Sequence, residues 1–458
     1  MEFIQRPYQP GETIAAISTP PGEGGISIIR ISGNQAISVA EKVFSGPVAA
    51  YSTHTAHLGI IHDAEDNRLD EALLLLMRGP RSFTGEDTVE LQCHGGMIAS
   101  KKVLEACLAA GARAALPGEF TFKAFMNGKM DLAQAEAVQK LISAKNEQAF
   151  SAAGKHLEGA LSLKIQSFQK DLVRLGAILE AWIDFPEEGI EFTSQEEIMN
   201  ELLQLREKMR SLLATFEDGK RLEQGIALCI VGAPNAGKSS LMNALLDTER
   251  AIVTPIAGTT RDLLHEELTL GGLHFKLTDT AGIRHTNEVV EAEGIRRSKA
   301  AIDTADIILF VIDAAKKIDA EEEELFECLP KEKTIAIWNK IDLSIHAVCQ
   351  TPFTFELKIS AKERIGLEKL KQTVHEIVWQ KGAPAKDELL ITNVRHKEAL
   401  TQAMNDLSTL ISGLEGGTSP EFLTADVRSA LEALGRMIGT NITEEILSSI
   451  FSQFCIGK

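Results

Sequence analysis

The sequence predicts a multidomain protein: an α+β domain at the N-terminus, an all-α helical part, and an α/β domain that lies between two helical segments of the chain. Residues 1–118 mix β-rich segments, such as GISIIRIS and DTVELQCHGG, with one or two helices, which is typical of a small α+β domain. Residues 119–222 and 383–458 carry apolar residues three and four positions apart, with few helix breakers. Residues 223–382 alternate apolar strands with loop or helix signals, the pattern of a mostly parallel, doubly wound sheet.

The order of these segments suggests how the domains are connected. The simplest arrangement inserts residues 223–382 into one helical domain whose two parts are residues 119–222 and 383–458. The alternative is three domains in series with a separate C-terminal bundle. The residues alone leave these two arrangements roughly even.

The composition excludes several classes of protein. Of the 458 residues, 44% are hydrophobic and 24% are charged, which is ordinary for a globular protein. No apolar run reaches the roughly 18 residues that a membrane helix needs, so no membrane span is expected. The N-terminus has no basic region followed by an apolar stretch, and the six cysteines are scattered without a C-x-x-C. These features predict a cytoplasmic protein with reduced thiols rather than a disulfide framework or a zinc site.

The charge balance bears on possible macromolecular partners. The formal net charge is −18, which argues against a broad surface that coats nucleic acid. Any nucleic-acid substrate would need a local basic groove or a partner that supplies one.

One short stretch predicts a phosphate-binding loop. GAPNAGKSS, at 232–240, matches G-x-x-x-x-G-K-[ST] and lies between the strand IALCIV and the helix LMNALL. Its backbone N–H groups are expected to face phosphate oxygens, Lys238 to reach the β- and γ-phosphates, and Ser239 to bind Mg²⁺. The predicted nucleotide contacts from this loop are Asn235, Ala236, Gly237, Lys238, Ser239 and Ser240.

Four further motifs follow in the order expected of a Ras-like G domain: GTTRD, DTAG, NKID and SAK. Asp279 is expected to hold Mg²⁺ through water, and Asp342 to accept two hydrogen bonds from guanine, which predicts GTP rather than ATP. Lys340 can cover the base with its aliphatic stem. The remaining predicted GTP contacts are Thr254, Pro255, Ile256, Ala257, Gly258, Thr259, Thr260, Asp279, Thr280, Ala281, Gly282, Asn339, Lys340, Asp342, Ser360 and Ala361.

The residue after DTAG is Ile283, where many small GTPases have a glutamine that orients the attacking water. Two features can compensate. Asn235 and the turn TPIAGTT can form a site for a monovalent cation that stabilises transition-state charge. A carboxylate of NEVVEAEG (Glu288, Glu291 or Glu293) can orient water, although the simpler interpretation of each is a solvated helix start.

With these motifs considered together, the chain resembles the MnmE/TrmE family of tRNA modification GTPases over essentially its whole length. The resemblance rests on PPGEGGISIIRISG, SFTGEDTVELQCHGG, PGEFTFKAFMNGKMDLAQAEAV, the G motifs with GTTRD, and the terminal FCIGK. It implies an inserted G domain, a homodimer formed through the N-terminal domains, and potassium-stimulated GTP hydrolysis. It also implies a flavin- and NADH-dependent partner, with which an aminomethyl or carboxymethylaminomethyl group is placed on carbon five of the wobble uridine of certain tRNAs.

The resemblance also implies roles for single residues of the G domain. Potassium would be bound by Asn235, the carbonyls of Thr254 and Ile256, and Thr259, while magnesium would be held by Ser239 and Thr260. Glu291 falls where the family has its water-orienting glutamate, and Arg261 would assist closure of the loop around it.

For the N-terminal domain the resemblance implies a site for 5-formyl-tetrahydrofolate, the one-carbon donor. The matching positions are Arg30, Glu90, Lys129 and Lys458. Lys123 keeps a basic charge that is frequent in the family, whereas Glu23 departs from it.

Two cysteines invite a chemical interpretation. Cys455 lies next to Lys458, where its thiol could act on the uridine, although packing as a small apolar residue is the favoured interpretation. Cys93 and His94 lack a third ligand at metal spacing and are interpreted as a strand end.

Three functions therefore compete. The leading one is a GTPase enzyme of tRNA wobble-uridine modification. The second is a regulatory or ribosome-assembly GTPase switch without its own tRNA chemistry, and the third is a folate-dependent one-carbon transferase with a regulatory G domain. The G motifs do not separate these functions, whereas the N-terminal blocks and FCIGK favour the first.

Overall fold

The structure is a computed structural model that describes residues 8–184, 194–248, 266–279, 301–318, 320–343, 351–379, 382–385 and 388–458. The chain forms two compact units. Unit 1 comprises Met1–Ser143, Ala153–Leu213 and Val394–Lys458, and unit 2 comprises Ala144–Ala152 and Ala214–Asn393. The boundaries predicted at residues 118, 222 and 382 stay predictions.

Unit 1 contains a sheet of mostly antiparallel strands. Six described strands pair in the order β3-β4-β5-β2-β1-β6, and β1 runs parallel to β6. Their bounds are β1 Ile14–Ile17, β2 Ile26–Ser32, β3 Thr55–His62, β4 Arg68–Met77, β5 Thr88–His94 and β6 Arg113–Ala114. Alternate residues such as Ile29 and Ile31 of β2 are buried against helices α1 (Ala36–Val43) and α2 (Met97–Ala109). Arg30, between them in β2, therefore points to the opposite face of the sheet.

The rest of unit 1 is helical. Its helices are α3 Glu119–Met126, α4 Leu132–Ser143, α6 Ala160–Asp184, α7 Gln195–Ala214, α12 Val394–Glu415, α13 Pro420–Ile438 and α14 Glu444–Phe451, while α5 spans Glu147–Leu157. Helix α12 packs against α13, and α13 packs on α6, through apolar stripes at helical spacing. The short α14 buries Phe451 in a cluster that includes Leu132 of α4 and Phe125 of α3. In the described part of the chain no helix combines the length and apolar character that crossing a membrane requires.

Unit 2 is an α/β structure with a mostly parallel sheet. Six described strands pair in the order β12-β11-β10-β7-β9-β8, and every pair except β8/β9 is parallel. The strands are β7 Ile226–Val231, β8 Glu266–Leu270, β9 Leu273–Asp279, β10 Ile307–Asp313, β11 Thr334–Asn339 and β12 Phe355–Lys358. The helices are α8 Phe216–Gln224, α9 Lys238–Thr248, α10 Ala320–Cys328 and α11 Leu367–Val378.

The central strands of unit 2 explain the continuous apolar runs of the sequence. Leu309 and Val311 of β10 belong to the core on one face, and Ile308, Phe310 and Ile312 to the core on the other. Because both faces of such a strand are buried, its side chains are apolar throughout and do not alternate with polar ones. The predicted fold class is confirmed: an α+β N-terminal part, a helical part and an α/β P-loop part.

Candidate functional site

The phosphate-binding loop connects the end of β7 to the start of α9. Gly232 has φ 148°, and a Cβ there would lie 2.2 Å from the carbonyl oxygen of Val311. Gly237 has φ 100°, and a Cβ there would lie 2.2 Å from Nδ2 of Asn339. Only glycine fits at these two positions, because the backbone of the loop lies directly against the carboxyl ends of β10 and β11.

Lys238 begins α9 and lies over this loop. Its Nζ donates hydrogen bonds to the carbonyls of Gly232 and Ala233 at 2.7 and 2.8 Å. The hydroxyl-bearing Ser239 and Ser240 follow in the first helical turn, and both are exposed. The helix N-terminus adds its N–H groups and the positive end of its dipole, so this corner of the sheet suits an anion with a bound cation.

Asn339 and Lys340 tie the loop to the neighbouring strand ends. The Asn339 side chain, 2% exposed, donates to the Ala236 carbonyl at 3.0 Å and accepts from the Ala361 N–H at 3.0 Å. Lys340 has φ 66°, and its Nζ donates to the Asn235 carbonyl at 2.7 Å. The NKID and SAK motifs therefore lie directly beside the phosphate-binding loop.

Asp342 supplies the acidic group of this cleft. The Ser360 hydroxyl donates to its Oδ1 at 2.6 Å, and this hydrogen bond is the main cause that lowers the pKa of Asp342. The carboxylate is therefore ionised at neutral pH and accepts hydrogen bonds only. A cleft of about 470 Å³ is lined by Gly237, Ser240, Asn339, Lys340, Asp342, Ser360 and Ala361, among others. Its chemistry suits a base that presents two adjacent N–H donors, as guanine does.

A second group of predicted residues meets in unit 1. Arg30 and Glu90 are directly paired across β2 and β5, and Arg30 Nε and Nη2 lie 2.9 and 2.8 Å from Glu90 Oε1. The guanidinium lies 5.8 Å from the ring centroid of Phe83 and 5.7 Å from that of Phe120. A paired cation between two aromatic rings forms a half-buried polar platform.

The C-terminal residues complete this group. The Gly457 carbonyl accepts from Arg30 Nη1 at 3.4 Å and from the Ser18 hydroxyl at 3.1 Å. The Lys458 carbonyl accepts from the Phe120 N–H at 3.2 Å. Burial first, and then the neighbouring charge of Arg30, lower the pKa of Lys458.

Residues 13–129 match the family model described as GTP-binding protein TrmE N-terminus, and residues 132–455 match the model of the MnmE helical domain. The chain is 58% identical over 458 residues, the whole of both chains, to the tRNA modification GTPase MnmE of Protochlamydia amoebophila.

The chain belongs to the MnmE family of tRNA modification GTPases. The MnmE of Chlamydia abortus is 44% identical over 447 residues, which cover 98% of this chain and 99% of that one. A solved structure of Aquifex aeolicus Era bound to GDP.AlF4- is 28% identical over 40% of this chain and 66% of its own, with a TM-score of 0.26.

In this member of the MnmE family, part of the predicted nucleotide site lies outside the described residues. These positions are Thr254, Pro255, Ile256, Ala257, Gly258, Thr259, Thr260, Thr280, Ala281, Gly282 and Glu291, together with Arg261, Ile283, Glu288 and Glu293. The backbone of Asp279 is described, since β9 ends there in register with Ile230 of β7. The Asp279 main chain thus lies beside the start of the phosphate-binding loop.

The structure places three of the four folate positions taken from the MnmE family next to one another. Arg30, Glu90 and Lys458 are neighbours, whereas Lys129 is exposed and donates to the Pro80 carbonyl at 2.9 Å. Lys123 is no surface cation, because it is 1% exposed and its Nζ lies 2.7 Å from Glu86 Oε2.

The two cysteine interpretations have different outcomes. The favoured packing of Cys455 is wrong, since this residue is exposed. Strand β5 ends at His94, as predicted, and the His94 ring lies 2.7 Å from Asp70 Oδ1 while Cys93 is buried.

Asp313 of this MnmE-family chain was missed by reasoning from the sequence. Its Oδ2 lies 2.7 Å from Lys340 Nζ. The sequence VIDA, at 311–314, contained a signal for this residue. Its aspartate ends an otherwise apolar strand, next to the strand that leads into NKID.

Proposed function

We propose that this member of the MnmE family is a potassium-stimulated GTPase that acts with a flavin-dependent partner on tRNA. Together they install the carboxymethylaminomethyl or aminomethyl group on carbon five of the wobble uridine of certain tRNAs, with a formyl-tetrahydrofolate as one-carbon donor. The protein works as a cytoplasmic homodimer. The observation that carries the proposal is the 58% identity over the full length to a tRNA modification GTPase, in a chain whose NKID aspartate lies in a cleft beside a phosphate-binding loop.

In the nucleotide site, each described group has a separate task. The ionised Asp342, which Ser360 holds through a hydrogen bond, accepts from the two N–H donors of guanine, and Lys340 lies along the base. Lys238 and the N–H groups at the start of α9 bind the phosphate oxygens. Ser239, exposed in the first turn of α9, would hold Mg²⁺ together with Thr260 and Asp279. When bound, Mg²⁺ neutralises charge that develops on the phosphates.

Residues other than Ile283 stabilise the transition-state charge and orient the attacking water, because Ile283 has no hydrogen-bonding side chain. Asn235, the Thr254 and Ile256 carbonyls, and Thr259 would hold K⁺, whose positive charge would act as an arginine finger does in other GTPases. Glu291 orients the attacking water. The exposed position of Asn235 in the phosphate-binding loop supports this assignment.

Measurements of GTP turnover test the proposed roles of potassium and Glu291. Turnover should be faster in potassium than in sodium at equal ionic strength, and equal rates would remove the cation from the proposal. Glu291→Ala should lower kcat by about 10²-fold or more while GDP affinity is kept. Glu288→Ala is the matched control and should change kcat little.

The folate proposal rests on the Arg30 platform. Arg30 and Lys458 pair with folate carboxylates, Glu90 accepts from the amide-like edge of the pterin, and Lys129 adds a further cation. Titration of 5-formyl-tetrahydrofolate should give weaker binding to the Arg30→Ala/Lys458→Ala variant than to the wild type. Undiminished binding rejects the assignment.

Cys455, exposed close to Lys458, is the proposed thiol for the uridine chemistry, and Cys455→Ser should retain folate binding while modification falls.

Nucleoside analysis of tRNA from cells that lack this protein tests the whole proposal. The wobble-uridine modification should disappear and return with the wild-type chain. Intact modification would favour the second candidate, a regulatory or ribosome-assembly switch, which family membership disfavours. A return with Glu291→Ala as complete as with the wild type would instead favour a one-carbon transferase with a regulatory G domain.

A further inference from the structure

Asp313 is an acidic residue at the carboxyl end of β10, in the middle of the unit 2 sheet. Its side chain is 8% exposed. Strand β10 lies between β7, which leads into the phosphate-binding loop, and β11, which leads into NKID. Asp313 is in register with Asn339. It therefore lies between the two halves of the nucleotide site without lining the cleft itself.

The two carboxylate oxygens of Asp313 have different partners. Oδ1 accepts from the backbone N–H of Ala315 at 3.0 Å, which shapes the turn after β10. Oδ2 lies 2.7 Å from Nζ of Lys340 and accepts from it. One oxygen thus serves the local fold, and the other serves a residue 27 positions further along the chain.

Lys340 in turn contacts the phosphate-binding loop. The same Nζ donates to the carbonyl of Asn235 at 2.7 Å. Asn235 and Lys340 both have a left-handed backbone, with φ 64° and 66°, which is uncommon for residues with a side chain. Asp313, Lys340 and Asn235 therefore form a continuous polar chain from β10 to the phosphate-binding loop.

The negative charge of Asp313 matters because a lysine side chain is long and flexible. An ammonium with one carbonyl partner can adopt several positions, whereas a largely buried carboxylate restricts it to one. Removing one member of such a pair leaves the other charge without its partner in a desolvated place. The position of the Lys340 stem, which the proposed function places along the base, then depends on Asp313.

We propose that Asp313 is a positioning residue for the nucleotide site. Its carboxylate holds the Lys340 ammonium, so that the Lys340 stem lies along the guanine and the ammonium orients the Asn235 carbonyl. Asp313 thereby links guanine affinity to the loop residue that binds potassium. Both links rest on the proposed function, the first through the Lys340 stem along guanine and the second through potassium at Asn235.

The substitution Asp313→Asn separates the two contacts. The asparagine Oδ1 still accepts from Ala315 N–H, while its NH₂ group places a donor against the Lys340 ammonium, which is also a donor. Asp306→Asn is the matched control just before the start of the same strand, where Oδ2 accepts from the Ala227 N–H at 2.9 Å. Asp313→Glu keeps the charge and serves as the conservative variant.

GDP affinity is measured with the full chain in sodium buffer, and the potassium concentration for half-maximal GTP turnover is measured separately. Asp313→Asn should weaken GDP binding about tenfold, mainly through faster dissociation. It should also raise this potassium concentration, called the potassium midpoint below, several-fold. Asp306→Asn should stay within twofold on both, and Asp313→Glu should restore part of both.

The results distinguish a positioning role of Asp313 from a purely structural one. If Asp313→Asn stays within twofold of the wild type on both measurements, the proposal is wrong. If only its thermal midpoint falls, Asp313 is structural and the proposal is equally wrong. A changed GDP affinity with an unchanged potassium midpoint overturns the link to Asn235. A wild-type chain indifferent to potassium contradicts the proposed function, while the GDP measurement still decides the role of Asp313 toward Lys340.

Discussion

At the residue scale, the charge group around Glu136 shows how a buried ion pair is compensated. Arg395 Nε and Nη2 contact the two carboxylate oxygens of Glu136 at 2.9 Å each, and His396 Nε2 lies 2.9 Å from Oε2. Burial raises the pKa of Glu136, but the charges and hydrogen bonds of His396 and Arg395 outweigh it and hold that pKa well below its usual range. The three residues connect the starts of α4 and α12.

Removing one partner should therefore be costly. Arg395→Met should lower the free energy of unfolding of unit 1 by about 3–5 kcal/mol, because the buried carboxylate loses both hydrogen bonds from Arg395. Arg428→Met is the control, since Arg428 and Glu180 form an exposed pair at 3.1 Å worth less than about 1 kcal/mol. Urea unfolding measures both, and equal losses would contradict this account.

His274 makes the stability of unit 2 depend on pH. Burial lowers the pKa of His274 to about 4, although Glu267 opposes the shift. The folded state thus favours neutral imidazole, so this contribution is complete above the unfolded pKa of roughly 6.5 and is lost as the pH falls towards 4.

The loss should amount to about 2 kcal/mol at pH 5 relative to pH 7.5. Urea unfolding of the wild type and His274→Phe at both pH values measures it. The difference between the two pH values should shrink in His274→Phe, and an unchanged difference would assign the pH dependence to other groups.

At the element scale, the C-terminal segment after α14 packs against the end of β1 and the start of α3. Gly457 has φ 92°, and a Cβ there would lie 2.4 Å from the Ile17 carbonyl oxygen of β1. The carbonyls of Cys455 and Lys458 accept from the N–H groups of Gly118 and Phe120. This segment therefore brings Lys458 to Arg30 only if position 457 is glycine.

Gly457→Ala should weaken 5-formyl-tetrahydrofolate binding about tenfold, because backbone strain of about 1–3 kcal/mol opposes the docked segment. Gly154→Ala is the control, since a Cβ at this helical position meets nothing within 4 Å. Calorimetric titration of both variants is the measurement. Similar affinities would show that the segment docks without its glycine.

At the scale of the whole molecule, the two units carry different sites. The cleft beside the phosphate-binding loop lies in unit 2, and the Arg30–Glu90–Lys458 group lies in unit 1. A ligand stabilises only the folded structure that binds it, by about 2.7 kcal/mol at a concentration of 100 Kd.

Scanning calorimetry should therefore resolve two transitions that respond to different ligands. GDP should raise the midpoint of one, and 5-formyl-tetrahydrofolate that of the other. His274→Phe identifies the unit 2 transition independently. A single transition raised equally by both ligands would show that the units unfold as one.

The sequence by itself determined the parts of the protein whose chemistry is local. The phosphate-binding loop is a contiguous stretch between a strand and a helix, and alternation in β2 or helical spacing in α12 follows from which face is buried, so each is readable along the chain. Family membership was readable for the same reason, since its blocks are contiguous.

Only the tertiary structure decided which distant residues became partners. Asp313 meets Lys340 across 27 positions, the burial of Lys123 depends on Glu86, and the Gly457 carbonyl meets Arg30 across 427 positions. It also decided that Cys455 is exposed and that Lys129 contacts Pro80. Such pairings arise from strand order and helix packing, which place residues together without leaving a periodic trace in the sequence around them.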